Sequence, residues 1–147
     1  MKAIDQTTIV FTSRSANEGF ARACTACFAA QLDPTLDEVA DIKTAVSEAV
    51  TNAIVHAYPD RIGRITLRLR LLEGNLLEVQ VKDSGVGIPD VEQARTALFT
   101  TGNEERSGMG FSIMESFMDS LKVRSAVGRG TTVTMRKRIS KRREGTP

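Results

Sequence analysis

Four short motifs in a fixed order frame this chain. Ser47-Glu48-Ala49-Val50-Thr51-Asn52 places an acid and an amide four residues apart. After it come Asp83-Ser84-Gly85-Val86-Gly87, Ser107-Gly108-Met109-Gly110-Phe111 and Gly128-Arg129-Gly130-Thr131-Thr132. Singly, each uses residues that ordinary turns also use. All four in this order within 147 residues point to one pocket, in which a carboxylate holds a base and glycine segments hold phosphate.

The length predicts a single domain over 1–139, followed by a flexible, solvated basic tail over 140–147. With 41% hydrophobic and 26% charged residues, the composition is that of an ordinary globular domain. No apolar run approaches the roughly 20 residues of a membrane helix, and no long apolar stretch opens the chain, so a cytoplasmic location without membrane contact is expected. The net charge of +2 is misleading. Without Arg136 to Pro147 the chain holds 14 Lys+Arg against 17 Asp+Glu, so no direct nucleic-acid partner is expected. Cys24 and Cys27 have C-x-x-C spacing but fall in a helical stretch with Phe20, Ala23 and Phe28, which predicts core or interface residues rather than a redox pair.

Thr7 to Thr12 reads as a strand. Ser15-Ala16-Asn17-Glu18 and Thr35-Leu36-Asp37-Glu38 read as capping boxes opening helices to about Leu32 and Ala57. Arg64 to Leu71 alternates basic with apolar residues, turns at Glu73-Gly74-Asn75 and returns as Leu76 to Lys82. A short helix near Asp90, another from about Gly110 to Asp119, and a final hairpin (Leu121 to Ala126, Thr131 to Arg138) complete the order β-α-α-β-β-α-α-β-β. Hairpins and paired helices predict an α+β fold: a two-layer sandwich with a mainly antiparallel sheet and helices on one face.

Thr44, Glu48, Asn52 and His56 recur every four residues, so on an α-helix they form one polar stripe suited to a cleft. Asn52 offers one neutral oxygen, suited to Mg²⁺ that arrives with a nucleotide triphosphate. Glu48, one turn earlier, is placed to act as a general base beside it. Asp83 is an acceptor matched to the amino group of adenine, and Gly85 and Gly87 let backbone approach the base. Ser107 to Phe111 leads into a helix and reads as an anion loop, neither a Rossmann fingerprint nor a Walker loop. Arg106, just before it, is a candidate for stabilising charge on a transferred phosphoryl group. Thr100 and Thr101, in a small polar segment, form a candidate lid over bound phosphates.

Taken together, these residues resemble the Bergerat ATP-binding fold of gyrase and the histidine kinases. Within it they are similar to the anti-sigma-factor serine kinases of the sporulation type, notably through Ser47 to Ile54, Leu98 to Thr101 and Glu105 to Glu115. The resemblance runs from Thr7 to Met135. It implies Glu48 and Asn52 as the conserved acid and amide of the nucleotide helix, and Asp83 as the adenine ligand. It further implies a phosphate loop at Ser107, Gly108, Met109, Gly110 and Phe111, and a final Gly130-Thr131 element. A lysine common after the threonine pair is replaced here by Gly102. The resemblance implies ATP/ADP and Mg²⁺ as cofactors. It also implies a homodimer that sequesters a sporulation sigma factor and phosphorylates a serine of an anti-anti-sigma protein. Arg22, with Glu18, matches the arginine that both partners use.

Three other functions fit parts of this pattern: a general-stress-type anti-sigma kinase, a detached histidine-kinase catalytic domain, and a non-catalytic, ATP-switched sigma-binding module. The histidine-kinase reading lacks a separate helix carrying a substrate histidine, because His56 is the only histidine and lies in the nucleotide helix.

Overall fold

The computed structural model describes residues 2–95 and 104–140, and for 104–109 the backbone alone. Strand β1 (Ala3–Thr12) leads to helix α1 (Ala16–Ala29), a 3₁₀ turn (Ala30–Leu32) and helix α2 (Leu36–Asn52). A π-helical turn (Ala53–Ala57) extends α2 before β2 (Arg64–Leu72) and β3 (Leu76–Asp83). Helices α3 (Val91–Arg95) and α4 (Glu104–Phe117) precede β4 (Ser120–Ala126) and β5 (Gly130–Arg138). The strands form one antiparallel sheet in the order β1-β2-β3-β5-β4, and the α+β sandwich expected from the sequence is the fold observed.

The alternation in β2 explains the layering. Ile65, Leu67 and Leu69 are fully buried on one side, facing the helices, while Arg64, Thr66, Arg68 and Arg70 stand on the other. Ile42, Val46 and Val50 of α2 and Met114 of α4 join Val79, Val81, Val133 and Met135 in the core. Burying each such side chain stabilises the fold by about 1.5–3 kcal/mol. Helix α2 is central, packed between α1 and α4 across the sheet.

Of the two capping boxes, the one at Thr35 forms: its hydroxyl accepts from Glu38 N (3.1 Å) and Glu38 Oε1 accepts from Thr35 N (2.9 Å). The one at Ser15 does not. Ser15 is itself helical, and the Glu18 carboxylate is taken by the Ser47 hydroxyl and by Arg22 Nε (3.4 Å). A tertiary partner outcompetes the local cap. The expected cysteine environment also changes, since Cys27 is exposed and only Cys24 is partly covered. Ser140, assigned to the tail, is tied to Glu38 Oε2 through its N–H (2.9 Å) and its hydroxyl (2.8 Å). Among the described residues no helix is long and apolar enough to cross a membrane.

Helix α4 starts at Glu104, well before the expected Gly110, so Ser107 to Gly110 lies within the helix rather than in a loop before it. Glu, Arg and Met are strong helix formers, and each interior glycine costs only about 1 kcal/mol against alanine.

Candidate functional site

A mainly apolar cavity opens between α2 with its π turn, the ends of β3 and β5, and α4. Asn52, His56, Asp83, Gly87, Phe111 and Thr131, all selected from the sequence, line it. Ala49, Ala53, Val81, Ile88 and Val133 supply apolar walls, which suit the faces of a planar base.

Asp83 ends β3 in a buried position. Its Oδ1 accepts from Gly85 N (3.0 Å) and Thr131 N (3.1 Å), so it locks the turn after β3 to the start of β5. Both bonds fall on one oxygen, and Oδ2 is the acceptor left over. Burial pushes this carboxyl up from its ordinary value, and the two N–H donors partly oppose the rise. A carboxylate kept in an apolar wall against this cost is a functional-site signature.

The glycines around it serve the protein's own backbone. A methyl group on Gly85 would lie 2.2 Å from the Ala57 carbonyl oxygen, and one on Gly87 would lie 2.3 Å from that of Ala126. They were expected to admit a base; Gly85 instead admits the end of the π turn, whose Ala57 oxygen accepts from Val86 N (3.0 Å). That bond ties the nucleotide helix to the Asp83 turn and satisfies a carbonyl at the helix end.

Two positioning residues were missed. The Tyr58 hydroxyl donates to Arg64 O (2.6 Å) and accepts from Ser84 N (2.7 Å), which fixes the residue beside Asp83. Its signal was available: Tyr58 is the only tyrosine and directly precedes Pro59. The Ser125 hydroxyl accepts from Ile88 N (2.7 Å) and bonds the Thr131 hydroxyl (2.8 Å). Nothing in the local sequence distinguishes Ser125 from other polar residues of an edge strand.

Glu48 lies beside Asn52 but outside the apolar cavity. It lines a separate depression with Arg22, Lys43, Thr44 and Ser47. The two sites meet at Gly110, where a methyl group would stand 3.1 Å from Asn52 Nδ2 and 3.4 Å from Glu48 Oε1. Burial, and then the charge of Glu18, push the Glu48 carboxyl above its ordinary value. Glu18 and Arg22, selected as partner-binding residues, therefore adjoin the candidate base. The polar stripe spans both sites: Thr44 and Glu48 line the depression, and Asn52 and His56, the latter on the π turn, line the cavity.

Thr100 and Thr101 lie outside the described residues. Arg106, Ser107, Gly108 and Met109 are placed by backbone alone, on the first turns of α4. Among the described residues no group of three or more His, Cys, Asp or Glu could hold a metal; Asn52 lines the cavity, and Glu48 lies beside it across Gly110.

Residues 11–137 match the histidine kinase-like ATPase domain family. An anti-sigma F factor of Caldanaerobacter subterraneus subsp. tengcongensis is 58% identical over 134 residues, covering 90% of this chain and 93% of that protein. One from Geobacillus kaustophilus is 55% identical over 132 residues, covering 89% and 90%. Among solved structures, the RsbU and RsbW domains of a Mycobacterium tuberculosis protein share the fold at 20% identity and a TM-score of 0.68, over 93% of this chain and 32% of that one. A histidine kinase domain from a blue-light activated kinase of Erythrobacter litoralis aligns at 25% identity and a TM-score of 0.56, over 83% of this chain and 61% of that one. The chain belongs to the histidine kinase-like ATPase family, on its anti-sigma F factor branch.

Proposed function

We propose that this protein is an ATP-dependent protein-serine kinase that doubles as an anti-sigma factor. It holds a sporulation sigma factor and phosphorylates a serine of an anti-anti-sigma protein. The reading rests above all on Asp83, a buried carboxylate fixed by two backbone N–H groups in the wall of an apolar cavity. Asp83 Oδ2 would accept from the amino group of adenine, the apolar walls would hold the base, and Asn52 would hold the phosphate end through its ion. Asn52 Oδ1 is one neutral oxygen with a carboxylate nearby, too small a set for a free ion and suited to Mg²⁺ carried on a triphosphate. That ion supplies charge neutralisation on the phosphates.

Glu48 removes the proton of the incoming serine hydroxyl. Its raised proton affinity suits it to that task. The serine oxygen bonds the γ-phosphorus, the bond to the β-phosphate bridging oxygen breaks, and ADP leaves. Arg106, Thr100 and Thr101 are assigned to the γ-phosphate end by resemblance. The depression that Arg22 and Ser47 line with Glu48 is separate from the base cavity, which suits delivery of a protein serine. The homodimer has a surface in the open edge of β1, where Ile4 and Val10 are exposed. The setting is the cytoplasm of a spore-forming bacterium.

The test mixes the protein with labelled ATP, Mg²⁺ and a candidate anti-anti-sigma protein from the same host. Acid-stable phosphoserine on that protein, lost in Glu48→Gln, is the expected result. Bound but unconsumed ATP would remove the kinase activity and leave sequestration alone.

A further inference from the structure

The helix-free face of the sheet segregates charge in a way the nucleotide site does not use. On the outward positions of the strands stand Arg64, Arg68 and Arg70 of β2 and Lys82 of β3. Lys122 and Arg124 of β4 and Arg136 and Arg138 of β5 continue the same face. These eight cations face one acid on the strands, Glu78, while the whole chain is only +2, so the rest of the molecule is net negative.

Glu78 shows what this face recognises. It is buried, with Arg70 Nε at 2.7 Å and Arg68 Nη2 at 3.0 Å from Oε1, and Arg136 Nη2 at 2.8 Å from Oε2. The arginine forks thus already seat one carboxylate. Arg64, Lys82, Lys122 and Arg124 are exposed, and none has an acidic partner among the described residues.

We propose that this face is a docking surface for an acidic, extended protein segment. Charge complementarity favours an anionic partner. Arg68 and Arg70 of β2, Lys122 and Arg124 of β4, and Arg136 and Arg138 of β5 form pairs two residues apart, a spacing of about 6.6 Å. An extended segment with carboxylates at alternate positions has the same repeat. Among the described residues no aromatic side chain stands on this face, so these strands offer no stacking platform for nucleic-acid bases. Six of the eight cations are arginine, whose planar fork matches a carboxylate.

The test titrates the full chain into a fluorescein-labelled peptide of alternating Glu and Thr at physiological ionic strength. A saturable rise in anisotropy is expected, with none for an alternating Lys and Thr peptide. Lys122→Glu/Arg124→Glu weakens binding by about tenfold, and Lys122→Gln/Arg124→Gln gives a smaller loss. Both pairs keep the thermal unfolding midpoint, since both side chains are exposed and outside the nucleotide site. The proposal is overturned by the absence of a saturable rise, or by equal binding of the charge-reversed variant. Binding of duplex DNA without the peptide, or self-association abolished by the same reversal, would assign the face to another occupant.

Discussion

Gly110 of α4 lies so close to Asn52 of α2 that a methyl group at position 110 would stand 3.1 Å from Nδ2 and 3.2 Å from Oδ1 of the amide. Gly110 has no positive φ, so the glycine is required by this approach rather than by the helix. Gly110→Ala removes a helix-weakening glycine, worth up to about 1 kcal/mol, and displaces the amide by a few tenths of an ångström. The expected outcome is stability within about 1 kcal/mol of wild type together with Mg-ATP affinity lower by about tenfold, because metal and phosphate positioning tolerates little movement. Thermal unfolding and calorimetry on one preparation check both parts.

Gly85→Ala behaves differently. Its methyl group would be driven into the Ala57 carbonyl at 2.2 Å, and backbone cannot yield as a side chain does. A loss of about 3 kcal/mol or more is expected, read as a lower urea midpoint at unchanged slope.

Asp83→Asn separates binding from stability. Burial makes the folded state hold the Asp83 proton more tightly than the unfolded chain does. Between the ordinary aspartate value and the raised one, wild-type stability therefore falls as pH rises, and above that window the cost is complete. The asparagine oxygen still accepts from Gly85 and Thr131 without the buried charge. The variant is expected to be at least as stable as wild type at pH 7, with the difference shrinking as pH falls through the window. Urea titrations across pH measure this.

Glu78 has the opposite sign. Burial disfavours its charge, yet Arg70 and Arg136 hold its carboxyl below the ordinary glutamate value. Its contribution is present above the unfolded value and is lost as pH falls through the lowered one. Glu78→Gln is expected to cost about 2 kcal/mol at pH 7, less than for a fully buried pair because the arginines are partly solvated. The cost disappears in acid.

Glu18 tunes Glu48. Phosphotransfer needs Glu48 deprotonated, so its rate falls as pH drops through the raised Glu48 value. Glu18→Gln removes the neighbouring charge. The acidic limb of the rate profile is expected to move to lower pH, while Mg-ATP affinity at pH 8 stays unchanged.

The order of elements and the inner face of the sheet were legible because periodicity is local and strong: Ile65, Leu67 and Leu69 declare their side without help. So were Asn52, Asp83, Phe111 and Thr131, which share one cavity as expected. The rest depended on contacts distant in sequence. Glu18 looked like a cap until Ser47, from another helix, claimed it. The π turn at Ala53 has no residue that announces it, and its reason is the Val86 N–H that meets Ala57. Ser125 earns its place through Ile88 and Thr131, neither adjacent to it in sequence.

Titration calorimetry of the wild-type protein with Mg-ATP and with Mg-inosine triphosphate bears most directly on the adenine site. The two ligands differ at the purine position assigned to Asp83. Binding of ATP, weaker binding of the inosine nucleotide by roughly a hundredfold or more, and loss of that preference in Asp83→Asn is the predicted result. Equal binding of the two nucleotides, or an unchanged preference in Asp83→Asn, would contradict it.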